Sequence, residues 1–200
     1  MTFFEGSARV PLMIADVDMQ PGLVKTPVST IDVTATLGEL AGADLSDLSP
    51  WTEGQSLVPL GQGGERAKPV AMEYAAEGSY APLVALRDAR YKYVRCTLDP
   101  EQLFDLDNDP HELHNLADDP VHHDALNRLR GLADERWDLA LFDAQVRESQ
   151  ARRWVVYDAL RNGQYYPWDF QPLQQASERY MRNHMDLNVL EDNQRYPRGE

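Results

Sequence analysis

Between Pro69 and Leu106 the chain takes on the period of strands, and no other stretch limits the possible folds as much. Val70–Tyr74, Leu83–Arg87, 91–95 and 102–106 are short runs of strand period, separated by turn signals such as Asp88-Ala89 and Asp99-Pro100. Such runs predict an antiparallel meander, and a sheet that small needs cover on its apolar face. The cover is predicted just downstream. Leu126, Leu129, Leu132, Ala133, Trp137, Ala140, Leu141 and Ala144 recur at helical spacing, and Asp119 followed by Pro120 supplies an N-cap and a first helical residue.

The flanks read less regularly. Residues 10–15 are a short apolar run of the kind that makes a buried strand, preceded by Glu5 and Arg9 among the aromatics Phe3 and Phe4. An arginine entering a core beside a glutamate is expected to take that glutamate as its partner. Residues 16–27 are polar and carry Pro21-Gly22, a surface turn. A helix is predicted from Ser29, with Asp32 three residues on, through Ile31, Val33, Leu37, Leu40 and Ala41 to a stop at Gly42. Residues 43–67, rich in Gly, Pro, Ser and acids, read as a linker or boundary with Trp51, Leu57, Val58 and Leu60 as anchors. From Arg147 onward the charges balance and aromatics crowd together at Tyr165, Tyr166, Trp168, Phe170, Tyr180 and Tyr196. Ser149 is predicted to cap a further helix through Val155, Val156, Ala159 and Leu160 to Gly163.

Composition narrows the function. At 200 residues and 42% hydrophobic, the chain can bury one ordinary core, or a small core with appendages. A formal net charge of −14 argues against nucleic acid and anionic membrane partners, which reward Lys and Arg clusters. Cys96 is the only cysteine, so neither an intrachain disulfide nor a thiolate metal site can be built. No apolar run approaches the ~20 residues of a membrane helix. In the acidic stretch 102–117, Asp105, Asp107, Asp109 and Glu112 invite a calcium reading, but an EF-hand loop wants Gly at its sixth position and Glu at its twelfth. A solvated structural loop is the reading that charge runs usually deserve. His111, His114, His122 and His123 form no H-E-x-x-H pattern.

Several segments together carry a resemblance. F-x-E-x-S-x-R-V-P at Phe3 to Pro11, V-S-T-I-D-V-T-A-T-L-G-E-L-A-G at 28–42, and Q-L-F-D-L-D-N-D-P-H-E-L-H-N-L-A at 102–117 are similar to segments of the sulfatases of the alkaline phosphatase superfamily. The last is preceded, as in that family, by Arg87, Tyr91, Lys92, Tyr93 and Val94, and its role there is structural. Ala35 departs from the family, which commonly has Pro there. W-D-F-Q-P at 168–172, A-S-E-R-Y-M-R-N-H-M-D-L-N at 176–188 and E-Y-A-A-E-G-S-Y-A-P at 73–82 resemble the choline sulfatase branch in particular.

The resemblance implies an α/β fold represented by the C-terminal part of an alkaline phosphatase-like sulfatase, with a small antiparallel sheet packed by a helix and a helical C-terminal extension. It implies the end of the large domain at 1–67, a C-terminal sheet subdomain at 68–146 and the extension at 147–200. The implied activity is hydrolysis of choline sulfate to choline and sulfate in the cytoplasm, using a formylglycine and calcium or another divalent cation. Neither falls on this chain: Cys96 lies in C-T-L-D-P, without the Pro and Arg of C/S-x-P-x-R. The chain by itself is therefore expected to be inactive and to bind no metal, with no catalytic residue of its own. What it can offer is recognition of the organic cation, which wants aromatic faces and a carboxylate. Asp186, Trp168, Glu77 and Tyr80 are the candidates, and the extension is expected to join subunits into a homo-oligomer. The rival expectation is a noncatalytic assembly module or quaternary-ammonium-binding module.

Overall fold

The computed structural model describes residues 3–15, 21–47, 52–66, 68–76 and 78–162. The meander is present. β1 (Val70–Tyr74), β2 (Leu83–Arg87), β3 (Tyr91–Cys96) and β4 (Gln102–Asp105) lie in the order β1-β2-β3-β4, every neighbour antiparallel. Ala71 pairs with Leu86, Leu86 with Tyr93, and Tyr93 with Leu103, so these side chains share one face of the sheet. That face is closed by the helix α4 (His123–Arg136), whose Leu126, Leu129 and Ala133 complete the core with Leu86, Tyr93 and Leu103. The predicted cap is in place: Asp119 accepts a hydrogen bond from the Val121 N–H at 2.9 Å and opens a 3-10 turn, Pro120–His122, that leads into α4.

The helical pattern does not run unbroken to Ala144, nor does a helix begin at Ser149. Trp137 takes an extended backbone, φ −127 and ψ 127, and its indole Nε1 donates to Glu73 at 2.7 Å. Asp138 then starts afresh, its side chain accepting from the Leu141 N–H at 2.9 Å. α5 therefore runs over Leu139–Arg161, with Ser149 in its interior. Two helices share one apolar period across the break, and the period alone could not show where it falls.

A shorter helix, α1 (Glu5–Ala8), precedes residues 10–15, which are exposed and form no strand. A strand is stable only when its backbone groups are paired, and no strand among the described residues lies beside this run. Nor does Glu5 take Arg9 as its partner. Its carboxylate meets Lys92 at 2.6 Å and Arg87 at 3.7 Å.

α2 (Ile31–Leu40) ends as expected, but its N-cap is Thr30 rather than Ser29, and no side chain caps it. Asp32 reaches back to the Ser29 N–H at 2.7 Å, and Gly42, at φ 75, closes the helix with bonds from Gly42 N to Glu39 O and from Ala43 N to Gly38 O, both 2.9 Å. The buried face is not the predicted one. Ile31, Leu37 and Leu40 are exposed, whereas Asp32, Ala35 and Thr36 are buried. The reason is the stretch expected to be a linker, which docks on α2 instead. Asp32 accepts the Gln55 N–H at 2.8 Å and Arg66 Nη1 at 2.6 Å, and the Thr36 hydroxyl accepts the Leu57 N–H at 2.9 Å. Leu57 is buried there, just before the single-turn helix α3 (Val58–Gly61). A Cβ on Gly54 would stand 2.2 Å from the Ile31 carbonyl oxygen, so only glycine admits this approach.

The chain divides into two compact units, Met1–Asp143 and Ala144–Glu200. Within the second, the Trp154 and Tyr157 rings meet edge to face with centroids 5.2 Å apart, and Val155, Val156 and Leu160 are exposed.

Candidate functional site

Charged side chains converge on the sheet face opposite α4. In β3, Lys92 lies between Tyr91 and Tyr93 and so points away from the α4 core, level with Arg87 on β2 and Phe104 on β4. It is nonetheless 0% exposed. A buried ammonium needs partners for its charge and its three N–H bonds. Lys92 Nζ donates to the Phe3 carbonyl at 2.7 Å and to Glu112 Oε1 at 2.8 Å, and forms an ion pair with Glu5 Oε1 at 2.6 Å. Glu112 Oε2 in turn accepts the Glu5 N–H at 2.5 Å, and the Phe4 ring rests 5.9 Å from that of Phe104. Beside this cluster opens a cleft of about 410 Å³ with Phe3, Phe4, Leu83, Val94, Asp99 and Gln102 on its walls.

The acidic loop is committed to structure. Asp105 accepts Arg90 Nε at 2.9 Å and Nη2 at 2.5 Å, with Asn108 Nδ2 at 2.8 Å. The Arg90 fork holds the Asp105 carboxyl well below the usual carboxylate range. Asp109 accepts the His114 N–H at 2.8 Å. Glu101, just before β4, takes Arg130 Nη2 at 2.6 Å and the Tyr93 hydroxyl, and its carboxyl is lowered chiefly by the arginine. Burial, reinforced by the bond to Glu101, pushes the Tyr93 hydroxyl up beyond the ordinary tyrosine range. No group of three or more His, Cys, Asp or Glu among the described residues is placed to hold a metal ion. These residues do not fit the divalent cation that the resemblance implies.

Of the candidate recognition residues, Tyr80 lies on the connection between β1 and β2. That turn is tied at its base by the Ser79 hydroxyl to the Ala81 carbonyl, next to buried Ala81 and Pro82, with Gly78 at φ 77. Tyr80 stands out from this base 88% exposed, within reach of a ligand or partner. Glu77, Trp168 and Asp186 lie outside the described residues. The Lys92, Glu5 and Glu112 cluster escaped sequence reasoning, although one signal for it was present: a lysine flanked by two tyrosines in a strand, if buried, has to find a buried partner.

A family model described as N-sulphoglucosamine sulphohydrolase, C-terminal, matches residues 1–138. The chain belongs to the sulfatase family, in its C-terminal region. A second model, described as Choline sulfatase enzyme C terminal, matches residues 144–196 of this sulfatase region. Over its whole length it is 64% identical to the choline-sulfatase of Rhizobium meliloti, of which it spans 40%. It is 32% identical to a Delta 4,5-hexuronate-2-O-sulfatase of Bacteroides thetaiotaomicron, with 68% of this chain and 30% of that relative covered. A solved 2-O GAG sulfatase is 33% identical and covers 52% of this chain and 23% of its own, with a TM-score of 0.45. The matched span 1–138 takes in the sheet, α4 and the acidic loop. No helix among the described residues is long and apolar enough to cross a membrane.

Proposed function

We propose that this chain is the C-terminal part of an enzyme that hydrolyses choline sulfate to choline and sulfate. The observation that carries the reading is the 64% identity to a choline-sulfatase across the entire chain, the extension included. In this reading the chain comprises the end of the large domain at 1–67, the sheet subdomain at 68–146 and the extension at 147–200. The nucleophilic formylglycine and the divalent cation belong to the full-length enzyme, so bond cleavage does not fall to the residues described above. The share of this chain is recognition of the substrate's organic half.

A quaternary ammonium donates no ordinary N–H hydrogen bond, and its recognition depends on aromatic faces and a carboxylate. Asp186, Trp168, Glu77 and Tyr80 supply these groups, with Asp186 nearest the trimethylammonium. The extension reaches the active-site mouth of a neighbouring subunit in a homo-oligomer, and the enzyme works in the cytoplasm. A carboxylate at a partly solvated mouth contributes about 1 kcal/mol toward a cation, roughly fivefold in binding. In the full-length enzyme, Asp186→Asn should raise KM for choline sulfate by about that factor and leave a neutral aryl sulfate nearly unaffected. Steady-state kinetics on both substrates checks this. Equal losses on the two would assign the extension to folding or assembly, and no change on either would remove Asp186 from the site.

A further inference from the structure

We propose that Lys92 makes the acidic loop and the N-terminal segment one cooperative unit, so that neither docks on the sheet without the other. Three distant parts of the chain meet at one ammonium: Phe3 lies 89 residues from Lys92 and Glu112 lies 20 residues from it. Lys92 donates hydrogen bonds to the Phe3 carbonyl and to Glu112 and forms an ion pair with Glu5. The cluster holds two carboxylates and two cations, the second being Arg87 at 3.7 Å from Glu5, and charge balance is lost when any one is withdrawn.

The coupling comes from bonds that serve both partners at once. Glu112 sits at φ 56, the one residue other than glycine with a positive φ among the described residues, a conformation that crowds its Cβ against the backbone. Its carboxylate helps to hold it there, with Oε1 on Lys92 and Oε2 on the Glu5 N–H, beside the bond from its own N–H to the Asp109 carbonyl at 3.1 Å. The loop turn therefore depends on the segment, just as the first turn of α1 depends on Glu112. If Glu5 departs, Glu112 keeps a strained backbone with part of its compensation gone. If Glu112 departs, the Glu5 N–H and one bond of a buried ammonium are left without acceptors, a costly arrangement away from water. Lys92, the second residue of β3, is the shared anchor. None of this depends on which ester, if any, the full-length protein hydrolyses.

Hydrogen exchange read by mass spectrometry on the full-length protein tests the proposal through its reciprocity. Glu112→Gln should speed exchange at least tenfold in a peptide covering residues 3–9, although the two sites are 107 residues apart in sequence. Glu5→Gln should do the same for the loop amides of Asp109, Glu112 and Leu116. Peptides from β2 and β3 should stay protected in both variants. Lys92→Met should release the segment and the loop together. Should that variant unfold the sheet, the two glutamate variants decide, since Glu5 is partly exposed and lies outside the core behind α4. Faster exchange confined to the mutated side, with the other side as in the native protein, would overturn the coupling.

Discussion

Asp105 shows how much one carboxylate contributes when its surroundings are arranged for it. Its side chain is 3% exposed and accepts both prongs of Arg90, whose own head is 46% exposed. Removing one partner of a fully buried pair costs about 3–5 kcal/mol, and the wetter arginine brings Asp105→Asn to about 2 kcal/mol at neutral pH. The pH dependence has a definite sign. The folded carboxyl is depressed, so its contribution is complete above the ordinary aspartate value near 4 and is lost as pH falls through the lower folded value. The gap in Tm between native protein and Asp105→Asn should accordingly be widest near neutrality and narrow below about pH 4, which thermal denaturation across that range checks. The charge run 102–117 pointed to a solvated loop, and the burial of Asp105 was not legible there. Nor was its pairing with Arg90, because that depends on how β3 and β4 lie side by side.

At the scale of elements, α4 and α2 make opposite cases. For α4 the apolar spacing pointed to the face that is in fact buried, because a single sheet face lies opposite it. Leu129, 0% exposed, is at the centre of that contact, and Leu129→Ala should cost about 3 kcal/mol, measured as a shift in the denaturant midpoint. For α2 the same kind of pattern misled. Its most apolar positions, Ile31, Leu37 and Leu40, face outward, while Asp32 and Thr36 are buried because they supply acceptors for the backbone of 54–57 and for Arg66. A polar residue can be driven inside by the hydrogen bonds it satisfies, and hydrophobic periodicity carries no record of those. The join between α4 and α5 is invisible for a similar reason: Trp137 leaves the helix to reach Glu73, a partner on β1.

For the molecule as a whole, the unit Met1–Asp143 leaves large apolar side chains in solvent along its N-terminal stretch, among them Val10, Met13 and Leu23. Met13 is 94% exposed. Large apolar side chains left in solvent favour association. The isolated chain should therefore self-associate, and sedimentation over a range of concentrations checks it; a monodisperse monomer at all of them would count against the expectation. The sequence by itself determined the sheet, its strand limits to within a residue, the capped helix that covers it and the membership of the sulfatase family, because those rest on local periodicity, turn chemistry and contiguous motifs. Only the tertiary structure decided that Glu5 belongs to Lys92 rather than Arg9, that 52–66 docks on α2, and that residues 10–15 remain unpaired. Each of these depends on groups brought together from distant parts of the chain, and the free energy of burying a charge or pairing a backbone is set by those neighbours and not by the residues adjacent in sequence.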